Sequence, residues 1–302
     1  MTPSQSGHLA MLAFSALVAG SFSLGALAAP LISPAALTLA RFAVAAALVG
    51  AAAALVSRPG AANPTLAPWR YLILGALLAC YFVLMFIGLQ TAAAVPTAAV
   101  FTLTPIMAAG FGWLLLGQIT SSRMAAALTL GGAGALWVIF RGDMAALLRL
   151  DIGRGEVIYF FGCIAHAIYA PMVRKLNRGE TATQFTFGTL VAGFLWLLLW
   201  GGPAALQTDW AALPAIVWIC LAYVSVAASA MTFVLIQYAT MRLPAAKVMA
   251  YTYLVPSWVI LWELALGHGA PPLTTLIGVT LTIVALALLL KDEAPRQAAN
   301  AR

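Results

Sequence analysis

Apolar residues run along this chain in ten long stretches separated by short polar breaks. The stretches lie near 8–29, 34–56, 69–90, 94–117, 122–140, 155–173, 182–201, 212–239, 245–267 and 272–290. Each is close to the ~20 apolar residues that a helix needs to cross a hydrocarbon layer. The breaks, roughly four to fifteen residues long, leave no room for a soluble domain. One hairpin of this pattern occurs twice. Residues 91–117, TAAAVPTAAVFTLTPIMAAGFGWLLLG, run parallel to 242–267, RLPAAKVMAYTYLVPSWVILWELALG. Both have small residues leading in, a mid-span proline, an apolar run and then Leu-Gly. The prolines, Pro105 and Pro256, are 151 residues apart in a chain of 302. The pattern therefore predicts two halves, 1–150 and 151–302, with five spans each. An odd number of spans makes the second half enter from the opposite side. The expected fold is an all-α membrane protein whose ten transmembrane helices form two inverted five-helix repeats. Repeats so related place a solute path at the bilayer midplane, where the halves meet.

Composition agrees and adds an orientation. The chain is 64% hydrophobic and 8% charged, with mean hydropathy +1.01, against about 25% charged residues in ordinary soluble domains. With a cytoplasmic N-terminus, eleven basic residues fall inside: Arg58, Arg70, Arg123, Arg174, Lys175, Arg178, Arg242, Lys247, Lys291, Arg296 and Arg302. Only three, Arg141, Arg149 and Arg154, fall outside. That bias puts both termini in the cytoplasm. It also makes the net charge of +7 a topology signal, with no nucleic-acid partner implied. A signal peptide ending at Ala26-Leu27-Ala28 is the rival reading of the first stretch, but Met1 to Gly7 hold no Lys or Arg and the apolar run exceeds a signal core. Cys80, Cys163 and Cys220 each fall within a span and show no CxxC spacing, so they are expected as packing residues, with neither disulfide nor metal. No phosphate loop, zinc-protease motif or nucleophile elbow is present, which argues against an enzyme. No cofactor is expected.

Several segments together resemble the drug/metabolite transporter superfamily, specifically its EamA-like ten-helix carriers. The second stretch, ISPAALTLARFAVAAAL (32–48), is similar to that family's proline, short apolar run and Arg-Phe pattern. Gly-Leu-Gln-Thr at 88–91, Thr104-Pro105 and Leu116-Gly117 continue the resemblance, and Gln237-Tyr238-Ala239, Leu243-Pro244-Ala245-Ala246, Tyr253-Leu254-Val255-Pro256 and Gly278 repeat it. Coverage runs from about 8 to 290. Members often carry Glu where this chain has Gln118 and His268, and before the ninth-span proline, where it has Val255. A Trp common in the first span is replaced by the run Ala19-Gly20-Ser21-Phe22. A coupling mechanism based on those carboxylates does not transfer.

Candidate residues follow from position. Pro105 and Pro256 remove backbone donors and are expected as matching bends, hinges for a rocking motion. Lys247, Tyr251, Val255, Trp258 and Trp262 share one face of the ninth span, and Thr97, Phe101, Thr104 and Ala108 one face of the fourth. Those aromatic faces suit a partly apolar solute; alternatively, the Trp residues form the interfacial belt. His166 lies twelve residues into its span, about 18 Å along the axis at ~1.5 Å per residue. Intramembrane ionisable groups face the bundle interior, so His166 is a candidate to bind substrate or relay a proton, with Tyr169 beside it. The resemblance adds that many members carry Trp at this position, next to the central cavity. Tyr81, Ser225, Ser229 and Thr232 complete the expected lining. Arg41 needs a partner in lipid, and depth makes Glu263 or Glu156 the expected ion-pair partner. Gly131, Gly132, Gly134 and Gly278 are expected to pack each half together.

The class implied is a secondary carrier in a bacterial inner membrane, multi-pass, a monomer or weak homodimer in the lipid bilayer. Protons are a candidate coupling ion. The family implies small-molecule substrates, and an aromatic cavity without a basic cluster or central carboxylate points to export of amino acids, aromatic and other neutral ones. Drugs or other metabolites are the alternative within the superfamily, and a channel the alternative outside it.

Overall fold

The computed structural model describes residues 2–56 and 67–291; Arg58, Arg296 and Arg302 lie outside the described residues. Ten helices there are long and apolar enough to cross a membrane: Pro3–Ala28, Pro34–Leu55, Trp69–Leu89, Ala94–Leu116, Ser122–Ile139, Arg154–Leu176, Ala182–Gln207, Ala215–Thr240, Lys247–Ala265 and Leu273–Leu290. The described residues contain no strand. The first helix starts earlier than its apolar run, because a capping box closes on Thr2: its hydroxyl accepts the Gln5 N–H while the Gln5 side chain accepts the Thr2 N–H. A short helix, Met144–Arg149, with Asp143 capping its first turn, joins the fifth span to the sixth.

Packing between spans repeats after a shift of five. The second span lies on the seventh and the fifth on the tenth. Third-on-sixth is matched by eighth-on-first, third-on-seventh by eighth-on-second, and fourth-on-sixth by ninth-on-first. That is the contact pattern two inverted five-helix repeats require.

Small residues make the close seams. A Cβ on Gly134 would stand 2.7 Å from the Gly278 carbonyl oxygen, and one on Gly75 would stand 2.4 Å from the Gly193 nitrogen. Fifth and tenth spans therefore touch backbone to backbone, as membrane helices with small interfacial residues do. These glycines were expected to pack within each half. Instead Gly134 meets Gly278 and Gly131 meets the Tyr253 ring, both across the halves, and Gly132 alone meets its own half, at Ile106.

Three spans are discontinuous. The fourth divides into Ala94–Phe101 and Thr104–Leu116. The ninth divides into Ala245–Ala250, a 3-10 turn at Tyr251–Leu254, and Val255–Ala265. The prolines do not bend continuous helices, as the sequence suggested: Pro105 and Pro256 sit in the first turn after each break, where a missing N–H costs nothing. Carbonyls freed by a break in hydrocarbon need substitute donors. Thr102 donates to Ala99 O at 2.6 Å, Thr104 to Phe101 O at 2.7 Å and Thr282 to Tyr253 O at 3.0 Å. The two breaks meet where the Thr104 and Thr252 hydroxyls lie 3.3 Å apart. The eighth span carries a π-helical segment, Val226–Met231, between α segments Ala215–Ser225 and Thr232–Thr240.

Candidate functional site

Arg41 is wholly buried in the second span, seven residues from Pro34, or about 10 Å along the axis. An intramembrane guanidinium must be paired or solvated, and the π segment of the eighth span answers that need. A π turn displaces carbonyls from the ordinary ladder. Arg41 Nη2 donates to Ala228 O at 2.6 Å and Nε to Ser229 Oγ, while Ser229 donates to Val224 O at 2.6 Å. The guanidinium carbon sits 3.6 Å from the centre of the Phe82 ring, a cation–π contact. The expected carboxylates are elsewhere. Glu263 pairs with His268 at 2.8 Å, and Glu156 lies in the first turn of the sixth span. Arg41 thus has no counter-ion among the described residues, and its Nη1 has no hydrogen-bond partner there.

Beside it lies an aromatic cluster built from four spans. Tyr81 of the third span shares a 2.9 Å hydrogen bond with Tyr159 of the sixth. His166 has its ring centre 4.5 Å from Tyr81, 5.2 Å from Phe101 and 6.2 Å from Tyr169, stacked on the last. Phe22 of the first span closes on Phe101 and Tyr159 at 6.0 and 5.9 Å. Gln237 of the eighth span donates to the Tyr169 hydroxyl at 2.9 Å. The two clusters are continuous, since Tyr81 packs on Phe82 with centroids 4.4 Å apart and the Arg41 guanidinium lies over the same Phe82 ring. Within the aromatic cluster His166 Nδ1 and Gln237 Oε1, and along the eighth span Ser225 Oγ and Thr232 Oγ1, are buried without partners among the described residues. An unpaired buried polar group costs about 1–3 kcal/mol. An uncompensated cation, joined through the Phe82 and Tyr81 rings to the unpaired His166, marks a place suited to a small polar, anionic ligand with an apolar body.

The family model described as the EamA-like transporter family matches the chain twice, over 5–140 and 153–291. The chain belongs to the EamA-like transporter family. It is 23% identical over 263 residues, 86% of either chain, to the "Uncharacterized transporter YyaM" of Bacillus subtilis (strain 168). A solved crystal structure of another protein, 18% identical, superposes with TM-score 0.71 over 95% of this chain and 96% of its own; it has the same fold. The molecule is accordingly a multi-pass membrane transporter of small molecules.

Within this EamA-like transporter, the expected site residues separate into groups. Tyr81, Phe101, His166 and Tyr169 come together, and Ser225 and Ser229 lie on the neighbouring eighth span. Thr104 is fully buried and committed to the break in its own helix, so it is a backbone cap and no free lining donor. The ninth-span stripe faces the first and eighth spans: the Tyr251 hydroxyl meets His8 Nδ1 at 3.0 Å, Trp258 donates to Ser15 Oγ at 3.3 Å, and Trp262 packs on Tyr223 at 5.5 Å. Sequence reasoning missed Tyr159, although its seven-residue spacing to His166 puts both on one helical face. It also missed a buried ion pair at the cytoplasm-assigned end. Arg70 Nη2 meets Glu180 Oε1 at 2.6 Å with both side chains 1% exposed. Arg70 Nη1 donates to Leu176 O at 2.6 Å, Tyr71 donates to Glu180 Oε1 at 3.3 Å, and the Arg178 N–H to Glu180 Oε2 at 2.7 Å. The available signal was Glu180 itself, a lone acid among Arg174, Lys175 and Arg178.

Proposed function

We propose that this EamA-like transporter exports amino acids, aromatic and other neutral ones, by alternating access between its two halves. The observation that carries the reading is Arg41: a buried guanidinium with one nitrogen unpartnered and no carboxylate beside it. A substrate carboxylate would supply the missing charge through charge-assisted hydrogen bonds. Its ammonium and apolar side chain would then meet the ring faces of Tyr81, Phe101 and Tyr169, with His166 and Gln237 offering the remaining polar contacts. Those rings pack on one another in this conformation, so loading requires the halves to part. The broken fourth and ninth spans, crossing at Thr104 and Thr252, are the natural hinges for that motion, with Pro105 starting the cytoplasm-side segment of the fourth and Pro256 the outer segment of the ninth. The basic-residue bias supports a bacterial inner membrane with both termini cytoplasmic. His166, deep in its span, is the residue through which protons would couple.

The test is counterflow in proteoliposomes with a panel of radiolabelled amino acids. Phenylalanine, tyrosine and tryptophan should exchange saturably and be trans-stimulated, whereas a decarboxylated analogue such as phenethylamine should not compete at the Arg41 site. Exchange of amines in preference to amino acids would replace this reading with export of cationic drugs, and unsaturable flux would indicate a channel.

A further inference from the structure

Glu156 is a candidate that the central site leaves unused, and its surroundings are distinctive. It is 5% exposed, in the first turn of the sixth span, and makes no hydrogen bond or ion pair with any described residue. Helix-terminal amides favour a carboxylate there but leave its oxygens unmatched. The side chain borders two cavities at the end of the bundle that the charge bias assigns to the outside. One, of about 340 Å³, is polar and also lined by Arg141, Asp143, Asp151 and Gly153. The other, of about 230 Å³, is apolar and runs along Leu103, Ile152, Val157, Phe160 and Phe161. Glu156 and Ile139 belong to both walls. Phe160 and Phe161 are partly exposed on the outer surface of the helix, so the apolar cavity opens toward lipid.

These observations select a ligand chemistry. The Glu156 carboxylate stands where a polar cavity meets an apolar one lined by Phe160 and Phe161, a setting that fits an organic cation. Three carboxylates against one guanidinium around the polar cavity favour positive charge. The shared wall allows one molecule to occupy both cavities. We infer a second binding site at Glu156, for small molecules carrying an ammonium group and an aromatic or other apolar tail: the ammonium lies on the Glu156 carboxylate and the tail along Phe160 and Phe161. Such a ligand reaches the site from the outer leaflet as readily as from water. The shared chemistry has two sources, simple lipophilic amines and aromatic amino acids leaving the carrier, and the latter would add a carboxylate contact to Arg141.

Binding of phenethylamine, phenylalanine and 3-phenylpropionate to the detergent-solubilised full chain, measured by titration calorimetry, tests this. Phenethylamine should bind saturably and 3-phenylpropionate should not bind at this site. Glu156→Gln should weaken phenethylamine by about tenfold or more, the worth of a hydrogen bond to a charged group. Phe161→Ala, at an exposed position with little bearing on folding, should weaken it severalfold. Arg41→Gln should leave phenethylamine binding intact, which separates this site from the central one whatever the transported substrate proves to be. Phenylalanine binding more tightly than phenethylamine in the Arg41→Gln protein would assign the site to the substrate's exit route; the reverse would assign it to amines. Equal phenethylamine affinity in the parent and Glu156→Gln proteins, or no saturable binding in the folded parent, would overturn the inference.

Discussion

Replacing Glu180 with leucine tests whether the buried pair at the cytoplasm-assigned end holds the bundle together there. Arg70 opens the third span, and Glu180 belongs to the connection between the sixth and seventh, so their contact ties three spans. The variant removes the Glu180 carboxylate from the buried Arg70 guanidinium, which still donates to the Leu176 and Ala67 carbonyls. Breaking one side of a buried ion pair costs about 3–5 kcal/mol, which for a chain of this length corresponds to a melting temperature lower by about 5–10 °C. Removing both charges, as Arg70→Met with Glu180→Leu, should recover at least half of the loss, because no buried guanidinium then lacks its carboxylate. The assay is intrinsic tryptophan fluorescence during heating in detergent. A double variant no more stable than the single one would refute the reasoning. The pair also has a pH signature. Burial raises the Glu180 carboxyl, but the hydrogen bonds from Arg70 and from the Arg178 and Glu180 N–H groups outweigh it and hold it below its ordinary value. A carboxylate depressed in the folded state contributes stability above its unfolded value of about 4.3 and loses that contribution as pH falls through the folded value. The parent should therefore lose melting temperature below about pH 4.3, and Glu180→Leu should show a flatter curve over that range.

Arg41→Gln, which keeps donors for Ala228 and Ser229 but removes the charge, should lower apparent affinity for carboxylate substrates by about 10-fold or more; unchanged half-saturation in counterflow would clear Arg41 of a binding role. His166→Gln should retain more transport than His166→Leu, and equal rates would make His166 a packing residue. Gly134→Leu must push the tenth span away from a carbonyl 2.7 Å from the new Cβ, so the folded yield and melting temperature should fall by more than those of Gly110→Leu, which meets nothing within 4 Å. Pro105→Ala and Pro256→Ala should slow exchange severalfold while leaving folded protein in the membrane, and full rates in both would reduce the matched prolines to shared ancestry.

Span number, order and inverted symmetry were legible because bilayer thickness imposes one length on every helix and the duplicated proline marks the repeat. The early start of the first helix was hidden, since its cap is made of polar Thr2 and Gln5 ahead of the apolar run. The partner of Arg41 was not legible at all. Charge and depth pointed to Glu263 and Glu156, whereas the acceptors are a serine and a backbone carbonyl presented by a π segment, and no side-chain pattern announces a displaced carbonyl. The aromatic cluster was half legible. Depth alone found His166 and Tyr81, but Tyr159 and Phe22 join them only through the way the first, third and sixth spans pack.

Arg41 also bears on how the chain is made. Its acceptor, Ser229, lies 188 residues later in the sequence, which at ribosomal rates of roughly 5–20 residues per second is about 10–40 s of synthesis. During that interval the second span is already in the membrane with a guanidinium that has none of its final hydrogen-bond partners. The nascent first half must hold this charge at the lipid headgroups, in the insertion machinery or against a chaperone until the eighth span arrives. A nonsense mutation after the fifth span would therefore yield five helices that insert but remain marked for degradation, and co-expressing the missing half should rescue them.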